Sequence, residues 1–543
     1  MRHARPTAPA APTAPAARGV RAPGRRRSAR RAAGAVAALV VGVLVLSGCG
    51  AFGIPAPRSA TSSPTAEEVA PDLARYYDQT LEWTPCEDGA QCATATAPLD
   101  WSAPDPAKDI RLALVRHTAR GSGEPIGSLF VNPGGPGASG VDFVKSGVDS
   151  ATSRALQDGY DVVGWDPRGV GASTAVDCVD DAQLDALLYQ ETDAPPGTPQ
   201  ADAEVIQDSK DFAASCGRRS GGLLEFIDTR STAHDLDMLR ALVGDPQLHY
   251  LGYSYGTSIG AQYAQDFPTH VGRMVLDGAT DPAASSFDVV LAQTTGFRTS
   301  FEAYMADCLA GSGCPFRGSV DDGIGMVGSL LTTLDESPVR AADGRQLDRA
   351  VMGSAIDAAL YSEKQWPALS QAFTQAMQGN ASTAFALADN YFGRNADGTY
   401  RGNYFEAFLA IQCVDHPVER DPAVLATEAR EVRAAEGALA DPDTSRDTEP
   451  DPICANWPYA ARQAPAPVSA DGAAPIVVVG TTGDPATPYS WAQALAGQLS
   501  SGVLLTYRGE GHIAYDERDP CIVAAVDGYL LRGDPPADGT TCG

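Results

Sequence analysis

Gly252-Tyr253-Ser254-Tyr255-Gly256 sets a serine between small residues, directly after an apolar run (Leu248–Leu251) and directly before a segment of helical spacing. A sharp strand-to-helix turn holds such a serine with its Oγ clear of the backbone, and the helix N-terminus behind it favours developing negative charge. The chemistry this allows is nucleophilic attack on a carbonyl carbon, provided a base takes the hydroxyl proton. Seven histidines are candidates for that base. His3 lies in a basic leader, His117, His249 and His270 flank strands or helices of the first half, His234 sits on an expected helix, and His416 falls in a helical insertion. His512 remains, in the Gly-rich loop Gly509-Glu510-Gly511-His512 after the last long strand. The acid that orients it should follow a late strand and precede it in sequence. Asp484, in Gly480-Thr481-Thr482-Gly483-Asp484-Pro485, meets both conditions; Asp277 and Asp281 are the rivals after the preceding strand.

Asn132-Pro133-Gly134-Gly135-Pro136-Gly137 closes another strand. Glycines there let backbone N–H groups approach a substrate oxygen, so the N–H of Gly135 (or Gly134) and that of Tyr255 are the expected donors to a tetrahedral oxyanion. Asp166-Pro167-Arg168-Gly169 reads as a turn braced by an ion pair. No CxxC pair has zinc-ligand spacing with a matching His pair, so neither a metal nor another cofactor is expected.

These residues need rigid elements to position them. Ile110–Arg116 alternates like a half-buried strand, and Ser128–Asn132 and Asp161–Trp165 are short apolar runs closed by Pro/Gly turns. Thr232–Leu242 and Ser258–Asp266 have helical spacing around the strand Leu248–Tyr253, and Arg273–Leu276 is a further strand. The alternation predicts an α/β class: a mainly parallel sheet with helices on both faces. It breaks over 283–470, a mostly helical cap insertion, and resumes with Pro475–Gly480, Ser490–Leu499, Val503–Tyr507 and Ile522–Leu531. The core is thus expected in two parts, 71–282 and 471–543.

Residues 1–48 hold nine arginines and no acid, then the apolar run Ala32–Leu46, as in an export signal. Leu46-Ser47-Gly48-Cys49 resembles a lipobox, which would make Cys49 the lipid-bearing first residue of the mature chain and tie it to the outer side of the membrane. Residues 49–70 then form a Pro/Ser/Thr-rich tether. Without the leader, 31 basic residues face 68 acidic ones, a net charge near −37 that argues against nucleic-acid partners. Of eleven cysteines, ten remain for disulfides in an exported chain. Sequence does not give their connectivity; nearest-neighbour pairing would join Cys86–Cys92, Cys178–Cys216, Cys308–Cys314, Cys413–Cys454 and Cys521–Cys542.

Taken together, NPGGPG, DVVGWDPRGVGAS, GYSYG, TTGDPATP and GEGH resemble the secreted tripeptidyl aminopeptidases of actinobacteria, within the proline iminopeptidase family of α/β-hydrolases. The match runs from about Trp83 to Cys521, with Asn132 where many proline iminopeptidases have His. The resemblance implies an α/β-hydrolase fold and a serine exopeptidase that acts on peptides with free N-termini. Such an enzyme must pair the substrate ammonium, and Glu406 and Asp415 in the insertion are the candidate carboxylates. Tyr404, Phe405 and Trp366 are candidate pocket aromatics. Two other readings stay open: a carboxylesterase or lipase with the same triad, and a binding protein on an inactive hydrolase scaffold.

Overall fold

The computed structural model describes residues 59–189, 194, 198–515 and 519–543; the leader and Cys49 lie outside them. The strands, in chain order, are β1 (Ala60–Thr61), β2 (Glu82–Pro85), β3 (Gln91–Ala97), β4 (Ile110–His117), β5 (Ser128–Asn132), β6 (Asp161–Trp165), β7 (Leu248–Tyr253), β8 (Val271–Asp277), β9 (Val339–Arg340), β10 (Gln346–Leu347), β11 (Ile476–Gly483), β12 (Gly502–Glu510) and β13 (Thr540–Cys542). One sheet takes the order β1-β2-β3-β4-β6-β5-β7-β8-β11-β12-β13, and β9 pairs with β10 in a separate hairpin. From β6 to β13 all neighbours are parallel, whereas β1 to β4 and the β4–β6 junction are antiparallel.

Strand periodicity explains why both faces are covered. Ile476 and Val478 of β11 enter one apolar cluster, together with Met274 and Leu276 of β8. Val477, Val479 and Val275 point to the opposite face and enter another. A parallel strand buried on both sides has no polar face, so its sequence is a continuous apolar run.

Between β8 and β11 the chain leaves the sheet. Helices Ser286–Ala310, Val320–Glu336, Arg349–Leu360, Trp366–Ala376 and Ser382–Phe392 build a third apolar cluster of their own. Helix Tyr404–Asp415 behaves differently: Ala407, Ala410, Ile411 and Val414 join the core beneath the sheet. The inserted stretch is therefore stitched back to the catalytic half through this helix.

Five disulfides join Cys86–Cys92, Cys178–Cys216, Cys308–Cys314, Cys413–Cys454 and Cys521–Cys542. Arg168 in the turn after β6 forms a fully buried pair with Asp235, N to O 2.6 Å, and donates to the carbonyls of Pro98, Leu99 and Phe226. No helix of the described residues is long and apolar enough to cross a membrane.

Candidate active site

Ser254 stands between β7 and helix Tyr255–Asp266 with φ 53° and ψ −124°, a left-handed backbone that a non-glycine residue adopts only under constraint, at a cost of about 1–3 kcal/mol. The constraint is visible. Its N–H donates to the Asp277 carbonyl at 2.9 Å, and its own carbonyl accepts the Thr257 N–H at 2.8 Å. Gly252 is required two residues earlier, because a Cβ there would lie 2.5 Å from the Tyr250 ring and 2.6 Å from the Gly256 carbonyl. Ser254 is half-buried, and among the described residues nothing hydrogen-bonds its Oγ.

His512 follows β12 in a loop anchored on three sides. Its N–H donates to the Tyr361 carbonyl at 2.9 Å, the Gly511 N–H reaches the Gly483 carbonyl at 3.3 Å, and the Ala514 and Tyr515 amides donate to the Asp277 carboxylate at 3.1 and 2.8 Å. Its Nδ1 lies 2.9 Å from Asp484 Oδ2 and 3.0 Å from Oδ1. Asp484 is itself fixed by the N–H groups of Ala486 and Thr487 at 2.9 and 2.8 Å and by the Thr487 hydroxyl at 3.0 Å. Both partners are buried. Burial alone would lower the His512 pKa, but the charge and hydrogen bond of Asp484, with a smaller push from Asp277, hold it above the ordinary value. With Nδ1 held by Asp484, Nε2 is the ring nitrogen left for another partner.

The glycine loop after β5 completes the site. Gly134 has φ +93°, and a Cβ on it would stand 2.5 Å from the Tyr253 carbonyl and 2.9 Å from Ser254 Cβ, so the loop lies directly against the serine turn. The Gly134 N–H is spent on Asn132 Oδ1 at 2.9 Å. Of the two glycine donors expected from sequence, this leaves Gly135. Tyr255 is the first residue of its helix, and its N–H therefore has no acceptor within that helix.

A family model described as "TAP-like protein" matches residues 441–542. Serine protease Hip1 of Mycobacterium tuberculosis is 37% identical over 491 residues, covering 86% of this chain and 91% of that protein. Carboxylesterase B of the same organism is 36% identical over 516 residues, 93% and 96% of the two chains. Tripeptidyl aminopeptidase of Streptomyces coelicolor is 30% identical over 500 residues, 88% of each. The chain belongs to the TAP-like α/β-hydrolases. It is a serine hydrolase, and the reading as an inactive scaffold is set aside.

The carboxylates singled out from sequence have other duties in this TAP-like hydrolase. Glu406 is buried, and its Oε1 accepts the N–H groups of Cys178 and Val179 at 2.8 and 2.9 Å, which anchors the segment after β6. Asp415 takes the Thr229 N–H at 2.9 Å and its hydroxyl at 2.6 Å, and the same hydroxyl contacts the Tyr255 OH at 2.6 Å. Both oxygens of Asp415 are thus committed, although burial still pushes its pKa up to about 7. Trp366 packs against Tyr304 in the insertion's own core, so it does not face a pocket. Tyr404 lies against the glycine loop, its ring 3.2 Å from where a Cβ on Gly135 would stand.

Of the rivals, Asp277 is buried beneath the histidine loop with its carboxylate on two amides, while Asp281 accepts from Gln498 and from the Ala283 amide. Sequence reasoning missed Thr487, whose hydroxyl also lies 3.2 Å from His512 Nδ1, and Tyr361, whose ring meets the imidazole edge-on at 5.2 Å. An Asp-x-x-Thr turn could have flagged the first; nothing in sequence flags the second.

Proposed function

We propose that the protein is an exported serine exopeptidase that hydrolyses peptide bonds near free N-termini through Ser254, His512 and Asp484. The observation that supports the serine-hydrolase part of this reading is the buried His512–Asp484 pair, whose loop is tied through Asp277 to a serine held in a strained turn. Ser254 Oγ attacks the scissile carbonyl carbon as His512 Nε2 takes its proton. The carbonyl oxygen becomes an oxyanion that receives the N–H groups of Gly135 and Tyr255. His512 then returns the proton to the departing amine, which breaks the C–N bond and leaves an acyl-enzyme on Ser254. Water, deprotonated by the same imidazole, attacks the ester and frees the N-terminal fragment as a carboxylic acid. Asp484 keeps Nδ1 protonated throughout and offsets the charge of the imidazolium.

The substrate class draws on the relatives named as a serine protease and a tripeptidyl aminopeptidase. The leader and Cys49 support export as a lipoprotein held at the outer face of the membrane. A second reading, a carboxylesterase, is favoured by the relative of that name.

Matched peptides with free and acetylated N-termini, assayed beside a short-chain p-nitrophenyl ester, separate the two. Release of one to three residues from free N-termini alone is the expected result. Ester cleavage without peptide turnover would move the reading to an esterase.

A further inference from the structure

Tyr255 follows the serine directly, and its hydroxyl lies 2.6 Å from Thr229 Oγ1. The Thr229 hydroxyl in turn donates to Asp415 Oδ2 at 2.6 Å. A threonine hydroxyl has one proton. With that proton directed at Asp415, the Tyr255 O–H is the donor of the first bond. Burial, and then the charge of Asp415, raises the Tyr255 pKa well above its ordinary value, so the phenol keeps the proton it donates. The Thr229 N–H also donates to Asp415, at Oδ1 and 2.9 Å. A one-way chain of hydrogen bonds therefore leaves the residue beside Ser254 and passes through the first residue of helix Thr229–Val243. It ends on the last residue of helix Tyr404–Asp415.

The opposite end of that helix meets the glycine loop. A Cβ on Gly137 would collide with the Tyr404 carbonyl and stand 3.0 Å from the Phe408 N, and one on Gly135 would stand 3.2 Å from the Tyr404 ring. Asn403, just before the helix, donates to the carbonyls of Gly169 and Val176 at 2.8 Å each and accepts the Gly171 N–H at 2.9 Å. Glu406 holds two further amides of the same core. Twelve residues rising about 1.5 Å each make a rod of about 18 Å, fixed to the core along its length. One rigid helix of the insertion thus touches the loop that carries Gly135 and is hydrogen-bonded, through Thr229, to Tyr255.

Fixing the phenol oxygen restricts where the Tyr255 Cα can sit, and with it the peptide N–H that Tyr255 shares with Ser254. Donors to an oxyanion act by pre-set geometry, and a shift of about 1 Å weakens the transition state far more than the bound ground state. We propose that helix Tyr404–Asp415 sets the spacing of the Gly135 and Tyr255 N–H groups, with Asp415 and Thr229 as positioning residues that act through the Tyr255 side chain. This assignment rests on the mechanism above, in which Ser254 attacks and those two N–H groups receive the oxyanion.

Asp415→Asn, Thr229→Val and Tyr255→Phe each disturb one link of the chain with little change in shape. Steady-state kinetics on the full chain, with folded enzyme counted by active-site titration, test the assignment. Each variant should lose about tenfold in kcat, with KM within about twofold of the wild type. Asp415→Asn combined with Tyr255→Phe should lose no more than either alone, because both interrupt the same chain. Thr229→Ser, which keeps the hydroxyl, should recover most of what Thr229→Val loses. Unchanged kcat in Thr229→Val and Tyr255→Phe, losses that multiply in the double variant, or losses that vanish once folded enzyme is counted would overturn the assignment. A raised KM with kcat intact would overturn it as well, and would make Asp415 part of a binding site. Turnover that survives in Ser254→Ala would overturn the mechanism itself, and this assignment with it.

Discussion

Asp277 ties the Ser254 turn to the histidine loop: its carbonyl accepts the Ser254 N–H at 2.9 Å, and its carboxylate accepts the amides of Ala514 and Tyr515, just beyond His512. Ser254 and His512 lie far apart in sequence, yet one buried residue at the end of β8 sets the backbone of both. Burial pushes its carboxyl pKa up to about 6 against the opposing pull of those two amides. Asp277→Ala should therefore cost more than stability. Two buried amides would lose their acceptor, at about 1–3 kcal/mol each, and kcat should fall while KM changes little. Denaturant unfolding and steady-state kinetics on the same preparation check both.

Asp484→Asn should preserve the backbone and lower kcat by about 10⁴-fold, because Nδ1 loses the acceptor that fixes the tautomer. The pH profile carries a second sign. His512 must be neutral to act as a base, and its pKa lies above the ordinary value because of Asp484. Wild-type kcat/KM should therefore fall as pH drops through a midpoint above about 6.5. In Asp484→Asn that midpoint should move to lower pH; an unchanged midpoint would mean that another group titrates.

Gly134→Ala tests the close approach of the glycine loop. The added Cβ would meet the Tyr253 carbonyl at 2.5 Å at a residue with φ +93°. The loop must shift, carrying the Gly135 N–H with it, and kcat should drop by about 10² or more. Circular dichroism should remain that of the wild type.

Arg168→Met removes one member of a fully buried pair. Asp235, left without its cation, should cost about 3–5 kcal/mol of stability. Activity per folded molecule should be retained, since neither residue touches the serine turn. Urea unfolding and active-site titration distinguish these effects.

How much of this was legible in the sequence depended on the physics of each element. Strands β5 to β8 and β11 are buried over most of their length and so largely apolar, which makes their runs stand out, whereas β12 is only partly buried and carries Arg508 and Glu510. β3 escaped notice because Gln91–Ala97 is built of small and polar residues, and its identity comes from pairing with β4. The chain order that singles out Asp484 and His512 also brings them into hydrogen-bond contact, because both follow neighbouring parallel strands whose ends share one edge of the sheet. Acids in the insertion were harder to read. Glu406 and Asp415 look alike as carboxylates on one helix, and only three-dimensional neighbours reveal that each holds backbone amides.

The most direct measurement is intact-mass and peptide mapping after treatment with a serine-directed phosphonate. A single adduct on Ser254 is expected in the wild type, none in Ser254→Ala, and much slower labelling in His512→Ala. An adduct on another serine, or undiminished labelling of Ser254→Ala, would contradict it.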